Sequence, residues 1–341
     1  RGCLAERSWC QIEIVNNEAG WCRGKDLHFV AVVAAVPTLE ATLPTPTPKE
    51  TIADGADWIA YVGPDENIWL IDPASSEQRQ LTYLSETASS ADPAWSPDGR
   101  KVAIAVRQRQ SHNPDLAIID LDTGEIKYLG LYEQEGNERP VAVGWPTWAP
   151  DGSTIYFSAT YDGLMRSWVL RQVMTNGQNK QEIPSISRNW FWEGYPAFSP
   201  DGQWLTYGLV HSYGIVPQPD ENWGIWLAEA NGQNPRQGVV GATGKSAWSP
   251  DSTQVAYGVR FGASFEPDKR GIFVININSG QVKQLTEQGY YPSWSPDGQK
   301  AAFMRLVDND TTSEIWVMNA DGTNQRKLTS GSQPAWRPAR P

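Results

Sequence analysis

The chain has 341 residues, with 39 acidic against 28 basic side chains and a formal net charge of −11. That balance argues against duplex nucleic acid or an anionic membrane surface as the main partner. No apolar run reaches the roughly 18 residues that a membrane span needs, and the length is enough for one large core plus a small appendage.

Residues 1–36 read as a small β unit. Trp9-Cys10-Gln11-Ile12-Glu13-Ile14 alternates as a strand, Asn16-Asn17-Glu18-Ala19-Gly20 turns, and Trp21-Cys22-Arg23-Gly24-Lys25-Asp26-Leu27 returns. The two Trp residues, the Gly20-Trp21 step and the closing Gly24-x-x-Leu27 resemble the second half of a bacterial Src-homology-3-like domain. The resemblance implies an adaptor or a binder of cell-wall peptides, but half a barrel carries neither role by itself. It also implies that the chain is a processed or partial form of something longer. All three cysteines, Cys3, Cys10 and Cys22, fall in this unit. A disulfide in an exported protein suits them better than a four-ligand zinc site, for which His28 is the one nearby addition. The odd count leaves one thiol over, and which two pair stays open.

Next comes an apolar run that includes Phe29, Val30, Val32, Val33 and Val36, followed by a Thr/Pro-rich linker over residues 37–51 with Leu43-Pro44-Thr45-Pro46-Thr47-Pro48 at its centre. Such a linker is an extended, semi-rigid spacer of a kind common outside the cytoplasm. The apolar run needs cover: it is either a buried last strand or a docking strand offered to a neighbouring molecule.

From residue 52 onward one phrase recurs. Pro93-Ala94-Trp95-Ser96-Pro97-Asp98-Gly99 returns around Trp148, Phe198, Trp248 and Trp294, and a broken copy closes the chain at Pro334-Ala335-Trp336-Arg337-Pro338. The aromatic residues are spaced 53, 50, 50, 46 and 42 apart, which signals stacked supersecondary units. Pro, Asp and Gly in that order build a tight turn: Pro fixes φ, Asp bonds its own backbone, and Gly takes positive φ. A short strand with one large aromatic precedes each turn, and an alternating strand such as Val102-Ala103-Ile104-Ala105-Val106 follows. A third strand, an Asn/Asp/Gly hairpin and a fourth strand ending in Leu-Thr complete each unit, as in Ile272–Thr286. Four antiparallel strands per repeat make one blade of a β-propeller. Trp58–Val62, Ile68–Ile71 and Gln78–Thr82 are strands two to four without a strand one, and Trp336 supplies it from the other end. The expected fold is therefore all-β: a six-bladed propeller over 52–341 closed by pairing its C-terminal strand with its N-terminal strands, plus the small N-terminal β unit.

The Pro-x-Trp-Ser-Pro-Asp-Gly phrase with its small-apolar strand and Leu-Thr ending resembles the TolB-type propeller repeat, related in shape to WD-repeat propellers, over roughly residues 52–338. It departs at Phe198 for Trp, at Ser252 for Gly, and at Arg337-Pro338, where Asp-Gly is lost. The resemblance implies a cell-envelope setting. The α/β domain that precedes the propeller in TolB does not match, so TolB's particular partnerships do not carry over.

Catalytic signals are weak, and no cofactor or metal is expected. The sequence has no Gly-x-Ser-x-Gly, which the α/β-hydrolases that accompany propellers in the prolyl oligopeptidase family require. Gly241-Ala242-Thr243-Gly244-Lys245-Ser246 imitates a phosphate loop, but Val239 stands where its first Gly belongs and a strand follows. Asp308, Asp310 and Glu314 lack the Gly and the length of a calcium loop, so a solvated turn is the better reading. The motif aromatics Trp95, Trp148, Phe198, Trp248, Trp294 and Trp336 are expected as core wedged between blades.

Loop length is spent on one face. Arg139, Arg188, Trp190, Phe191, Trp192, Glu193, Tyr195, His211, Tyr213, Phe261 and Phe265 are the candidate binding residues there, since aromatic side chains on rigid scaffolds make binding hot spots and sugar-stacking platforms. Three functions follow in order of preference. The first is a non-catalytic, extracytoplasmic interaction propeller for a protein or cell-wall polymer. The second is a self-assembling subunit of an extracellular filament or surface layer, docked through the apolar run. The third is an accessory domain of a hydrolase or lyase.

Overall fold

The computed structural model describes residues 9–14, 18–23, 57–84, 88–108, 114–131, 140–161, 168–183, 191–211, 224–241, 244–259, 270–308 and 311–339. The chain divides into two compact units, Arg1–Thr42 and Leu43–Pro341. In the first, Trp9–Ile14 pairs antiparallel with Glu18–Arg23. Cys3, the apolar run from Phe29 to Val36 and the linker 37–51 lie outside the described residues.

The second unit is a six-bladed propeller of four-stranded antiparallel sheets. The first blade is Ala88–Trp95, Lys101–Gln108, Pro114–Asp120 and Ile126–Tyr128. Pro140–Trp148, Thr154–Tyr161, Val169–Met174 and Gln181–Glu182 form the second. The third runs Phe191–Phe198, Trp204–His211, Gly224–Glu229 and Arg236–Val240. In the fourth the order is Ser246–Trp248, Gln254–Val259, Gly271–Asn276 and Val282–Thr286. The fifth holds Tyr290–Trp294, Lys300–Val307, Thr312–Asn319 and Arg326–Ser330. The closing blade joins Ser332–Trp336 to Ile59–Val62, Ile68–Ile71 and Gln78–Gln80, so the last strand of the chain lies beside the first strands of the ring.

The turn has the same mechanics wherever the repeated phrase keeps its Ser and its Asp. The Ser hydroxyl donates to the Asp carboxylate at 2.5–2.6 Å (Ser96–Asp98, Ser199–Asp201, Ser249–Asp251, Ser295–Asp297). The same oxygen accepts the first N–H of strand two at 2.8–2.9 Å, from Lys101, Trp204, Gln254 and Lys300. Ser252 keeps the left-handed φ of the Gly it replaces, at +59°. Its hydroxyl also accepts the N–H of Asp201 from the preceding blade at 3.0 Å, so the departure adds a link between blades.

Each motif Trp reaches into the preceding blade. Trp95, Trp148, Trp248 and Trp294 donate their indole N–H to the carbonyls of Ala335, Ala94, Ala197 and Ala247, the residue just before the previous motif aromatic, at 2.9–3.2 Å. These four are 5–8% exposed, as is Trp336, which bonds the Asp57 carboxylate at 2.7 Å instead. Phe198 has no N–H to give and is half-buried. Arg337, standing where the motif has Ser, secures the closure: its backbone N–H donates to Trp58 O at 2.8 Å, its Nε donates to Gly99 O at 2.9 Å, and its guanidinium covers Trp95.

Strand two departs from the alternating pattern expected of it. Every residue from Val102 to Val106 is buried, because blades pack on both faces of it and a strand covered twice reads as continuously apolar.

Candidate functional site

Strand one begins before its motif in every blade but the fourth, where it is only Ser246–Trp248. In the third blade it starts at Phe191 and strand two ends at His211, with Phe191 opposite His211 and Trp192 opposite Val210. Phe191, Trp192, Glu193, Tyr195 and His211, expected in loops, therefore occupy strand positions: pairing of strands one and two continues past the bulge into the segment that reads as loop. Arg139, Arg188, Trp190, Tyr213, Phe261 and Phe265 lie outside the described residues.

A bulge interrupts strand one three residues before the motif aromatic. The register shifts between Ala91 and Ala94, Gly144 and Thr147, Gly194 and Ala197, Tyr290 and Ser293, and Ser332 and Ala335. Within it sit Asp92, Trp145, Tyr195, Tyr291 and Gln333, all left-handed with φ of +53° to +57°. Non-Gly side chains are strained there by about 1–2 kcal/mol each, so packing must hold them. The fourth blade places Lys245 at the equivalent position. Each blade thus contributes one residue to the axis, and the six comprise one acid, one base, three aromatic rings and one amide.

These side chains meet one another across blades. Asp92 donates its N–H to Gln333 Oε1 at 2.8 Å and accepts the Trp145 N–H on its carboxylate at 3.2 Å. The Trp145 ring lies 4.7 Å from Trp168 and 4.2 Å from Tyr195, and Tyr195 meets Tyr291 edge-on at 6.0 Å. A Cβ on Gly194 would stand 2.9 Å from the Trp145 ring, so the stack requires that Gly. The hydroxyls of Tyr195 and Tyr291, from the blades flanking Lys245, are 3.4 Å apart. Asp92, in the first blade, is buried, while Lys245, across the ring in the fourth, keeps part of its surface accessible although protein surrounds it. That combination fits a group lining a narrow axial channel.

Burial dominates the electrostatics. It pushes the Asp92 carboxyl up to about 6, against the pull of Lys245 and the Trp145 N–H. It also holds the Lys245 amine below its ordinary value, against the pull of Asp92. Tyr291 is raised by burial and by its neighbours Tyr195 and Asp92. Perturbed groups that converge on one place are a physical mark of a functional site. Among the described residues no group of three His, Cys, Asp or Glu side chains is placed to hold a metal ion. Glu314 is engaged with Lys327 at 2.6 Å and with the Trp316 N–H at 2.9 Å. No described helix is long and apolar enough to cross a membrane.

Apart from Tyr195, the axial set is not picked out in the sequence, because it precedes the recurring phrase and is not part of the repeat. Its signal is that very variation, one position before a nearly constant phrase.

No protein-family profile matches the chain. An uncharacterized peptidase, YuxL of Bacillus subtilis, is 26% identical over 172 residues, 41% of this chain and 24% of the peptidase. The Tol-Pal system protein TolB of Zymomonas mobilis is 35% identical over 68 residues, 18% of this chain and 15% of that protein. The chain therefore spans a quarter or less of the length of these relatives. Among solved structures, TolB from Acinetobacter baumannii superposes with a TM-score of 0.62 at 22% identity, over 83% of this chain and 67% of that one. The chain is a six-bladed β-propeller of TolB-type repeats, with TolB homologues by sequence and by structure.

Proposed function

We propose that this chain is a non-catalytic interaction propeller of the cell envelope, working outside the cytoplasm and recognising a protein or a cell-wall polymer at the ring axis and the aromatic loop face. The observation that carries the reading is the axial set. A scaffold that repeats its turn and its Trp anchor in five of six blades needs only one residue type at the axis for closure. Here it places Asp92, Trp145, Tyr195, Lys245, Tyr291 and Gln333, five of them in strained backbone and five with accessible surface. Blade-specific chemistry at a symmetric centre suits an asymmetric ligand. The similarity to TolB supports the envelope setting.

The test is binding to isolated cell-wall sacculi and to an envelope extract by wild type, Lys245→Gln and Tyr195→Phe, with melting curves run in parallel. Binding lost at unchanged melting temperature is the expected result. Undiminished binding in both variants, together with earlier melting, would make the axis scaffolding and end this reading.

The alignment with YuxL favours a second reading, a propeller serving a peptidase. Cleavage of chromogenic peptides by the natively isolated protein, above the rate of a heat-treated control, would replace the first reading with this one.

A further inference from the structure

The N-terminal unit holds all three cysteines of the chain. Its two described strands run in continuous register, with Trp9 opposite Arg23, Cys10 opposite Cys22, Gln11 opposite Trp21, Ile12 opposite Gly20, Glu13 opposite Ala19 and Ile14 opposite Glu18. Directly opposed residues of an antiparallel ladder share a face. Their Cα atoms stand about 5.5 Å apart in a hydrogen-bonded pair and about 4.5 Å apart in a non-hydrogen-bonded one. Both Cα spacings lie inside the roughly 4.4–6.8 Å that a disulfide accepts. A slip of one residue would put the two cysteines on opposite faces. No slip interrupts the six paired positions.

We propose that Cys10 and Cys22 form a cross-strand disulfide that staples this hairpin, leaving Cys3 as the odd thiol. The reaction is a thiol–disulfide exchange. One cysteine thiolate attacks the disulfide of an oxidant, either a small-molecule disulfide or an envelope thiol oxidoreductase, and expels one oxidant thiol. The second cysteine thiolate then attacks the mixed disulfide, forms the Cys10–Cys22 bond and releases the other oxidant thiol. Two thiols of this chain lose two electrons and two protons, and the oxidant's disulfide gains them. The pair ties the ends of a ladder whose strands are six residues each, which alone is marginal in water. The proposal is independent of the function proposed for the ring, although an oxidising compartment serves both.

The experiment uses the whole chain, equilibrated in an oxidising glutathione buffer, acid-quenched, and alkylated under denaturing, non-reducing conditions before peptide mass mapping. A linked peptide pair joining Cys10 to Cys22 is expected, with Cys3 either alkylated or carrying one glutathione, and three alkylated cysteines after reduction. In Cys3→Ser the linked pair should persist with no alkylation at all. Three alkylated cysteines in the oxidising buffer, or a linked pair that includes Cys3 in wild type, would overturn the assignment. The wild-type map needs no variant, so the assignment stays testable even if Cys3→Ser does not fold.

Discussion

Two regions of one strand teach opposite lessons. At its motif end, strand one carries the same Trp in five blades, and the Ser–Asp turn and the indole bond into the preceding blade in four each. Three residues earlier, at the axis, five blades share one left-handed bulge yet carry Asp, Trp, Tyr, Tyr and Gln on it, and the fourth places Lys245 there. Uniform side chains on a repeated backbone are there for the ring, since the same contact must be made at every blade boundary. Unlike side chains at a repeated position suit a partner that does not share the ring's symmetry, as the proposed function requires.

The sharpest way to test the uniform end is to delete one wedge. Trp294 is 8% exposed, packs between blades with Ala256 and Phe303, and donates to Ala247 O. Trp294→Ala should cost about 3–5 kcal/mol, read as a lowered urea midpoint, because a cavity and a lost hydrogen bond coincide. An unchanged midpoint would remove the wedge role.

The axial end should show itself in pH dependence. The Asp92 carboxyl is raised to about 6 in the fold, above the ordinary value of 3.8 expected when unfolded. A raised folded pKa contributes stability that is fully present below the unfolded value and is lost as pH rises through the folded one. Acidification from pH 7.5 to 5 should therefore stabilise wild type by about 1–2 kcal/mol relative to Asp92→Asn. Parallel pH–stability curves for the two proteins would disprove the raised carboxyl.

The turns answer pH in the opposite direction. The Ser295 hydroxyl and the Gln299 N–H hold the Asp297 carboxyl below its ordinary value. This group's contribution is present above the unfolded pKa and lost as pH falls through the folded one. Ser295→Ala deprives Asp297 of a donor and leaves the Lys300 N–H without its hydroxyl acceptor, and should cost about 1–2 kcal/mol near neutrality. The loss should shrink in strong acid, where Asp297 is protonated in both proteins. A loss constant from pH 7 to pH 3 would mean that the hydroxyl acts only as a spacer.

The ring was legible because its signals are local and repeated: Pro-Asp-Gly at the turns, one aromatic before each, and a C-terminal strand one that completes the single blade begun some fifty residues into the chain. The axis was not, because nothing local encodes it. Asp92, Trp145, Tyr195, Tyr291 and Gln333 adopt a conformation that Gly favours, with no Gly at those positions. Packing around the ring imposes it, and a propensity reading cannot see packing between residues some fifty apart. Tyr195 was named as a binding residue for its ring, but its place on the axis, between Trp145 and Tyr291, comes only from the third dimension. Strand ends were misjudged for the same reason: Phe191 and His211 look like loop residues until they are set opposite each other.

One irregularity of the uniform end explains itself by size. The residue after the strand-two partner of each motif aromatic is Ala60, Ala103, Thr206, Ala256 or Ala302 in five blades, and Tyr156 in the second. Trp95, Trp148, Trp294 and Trp336 share core clusters with Ala60, Ala103, Ala256 and Ala302 of the preceding blade. The aromatic that follows Tyr156 is Phe198, and the two rings meet edge-on at 4.7 Å. A large ring on one side of the boundary has displaced an indole from the other, together with its bond to the preceding blade. Phe198→Trp alone overpacks the boundary, and Tyr156→Ala alone opens a cavity, so each should lose about 1–3 kcal/mol. The double variant restores the arrangement of the other blades, with the new indole N–H directed at Thr147 O, and should stand within about 1 kcal/mol of wild type. Losses that simply add in a denaturant double-mutant cycle would show that the second and third blades meet by a different rule from the rest of the ring.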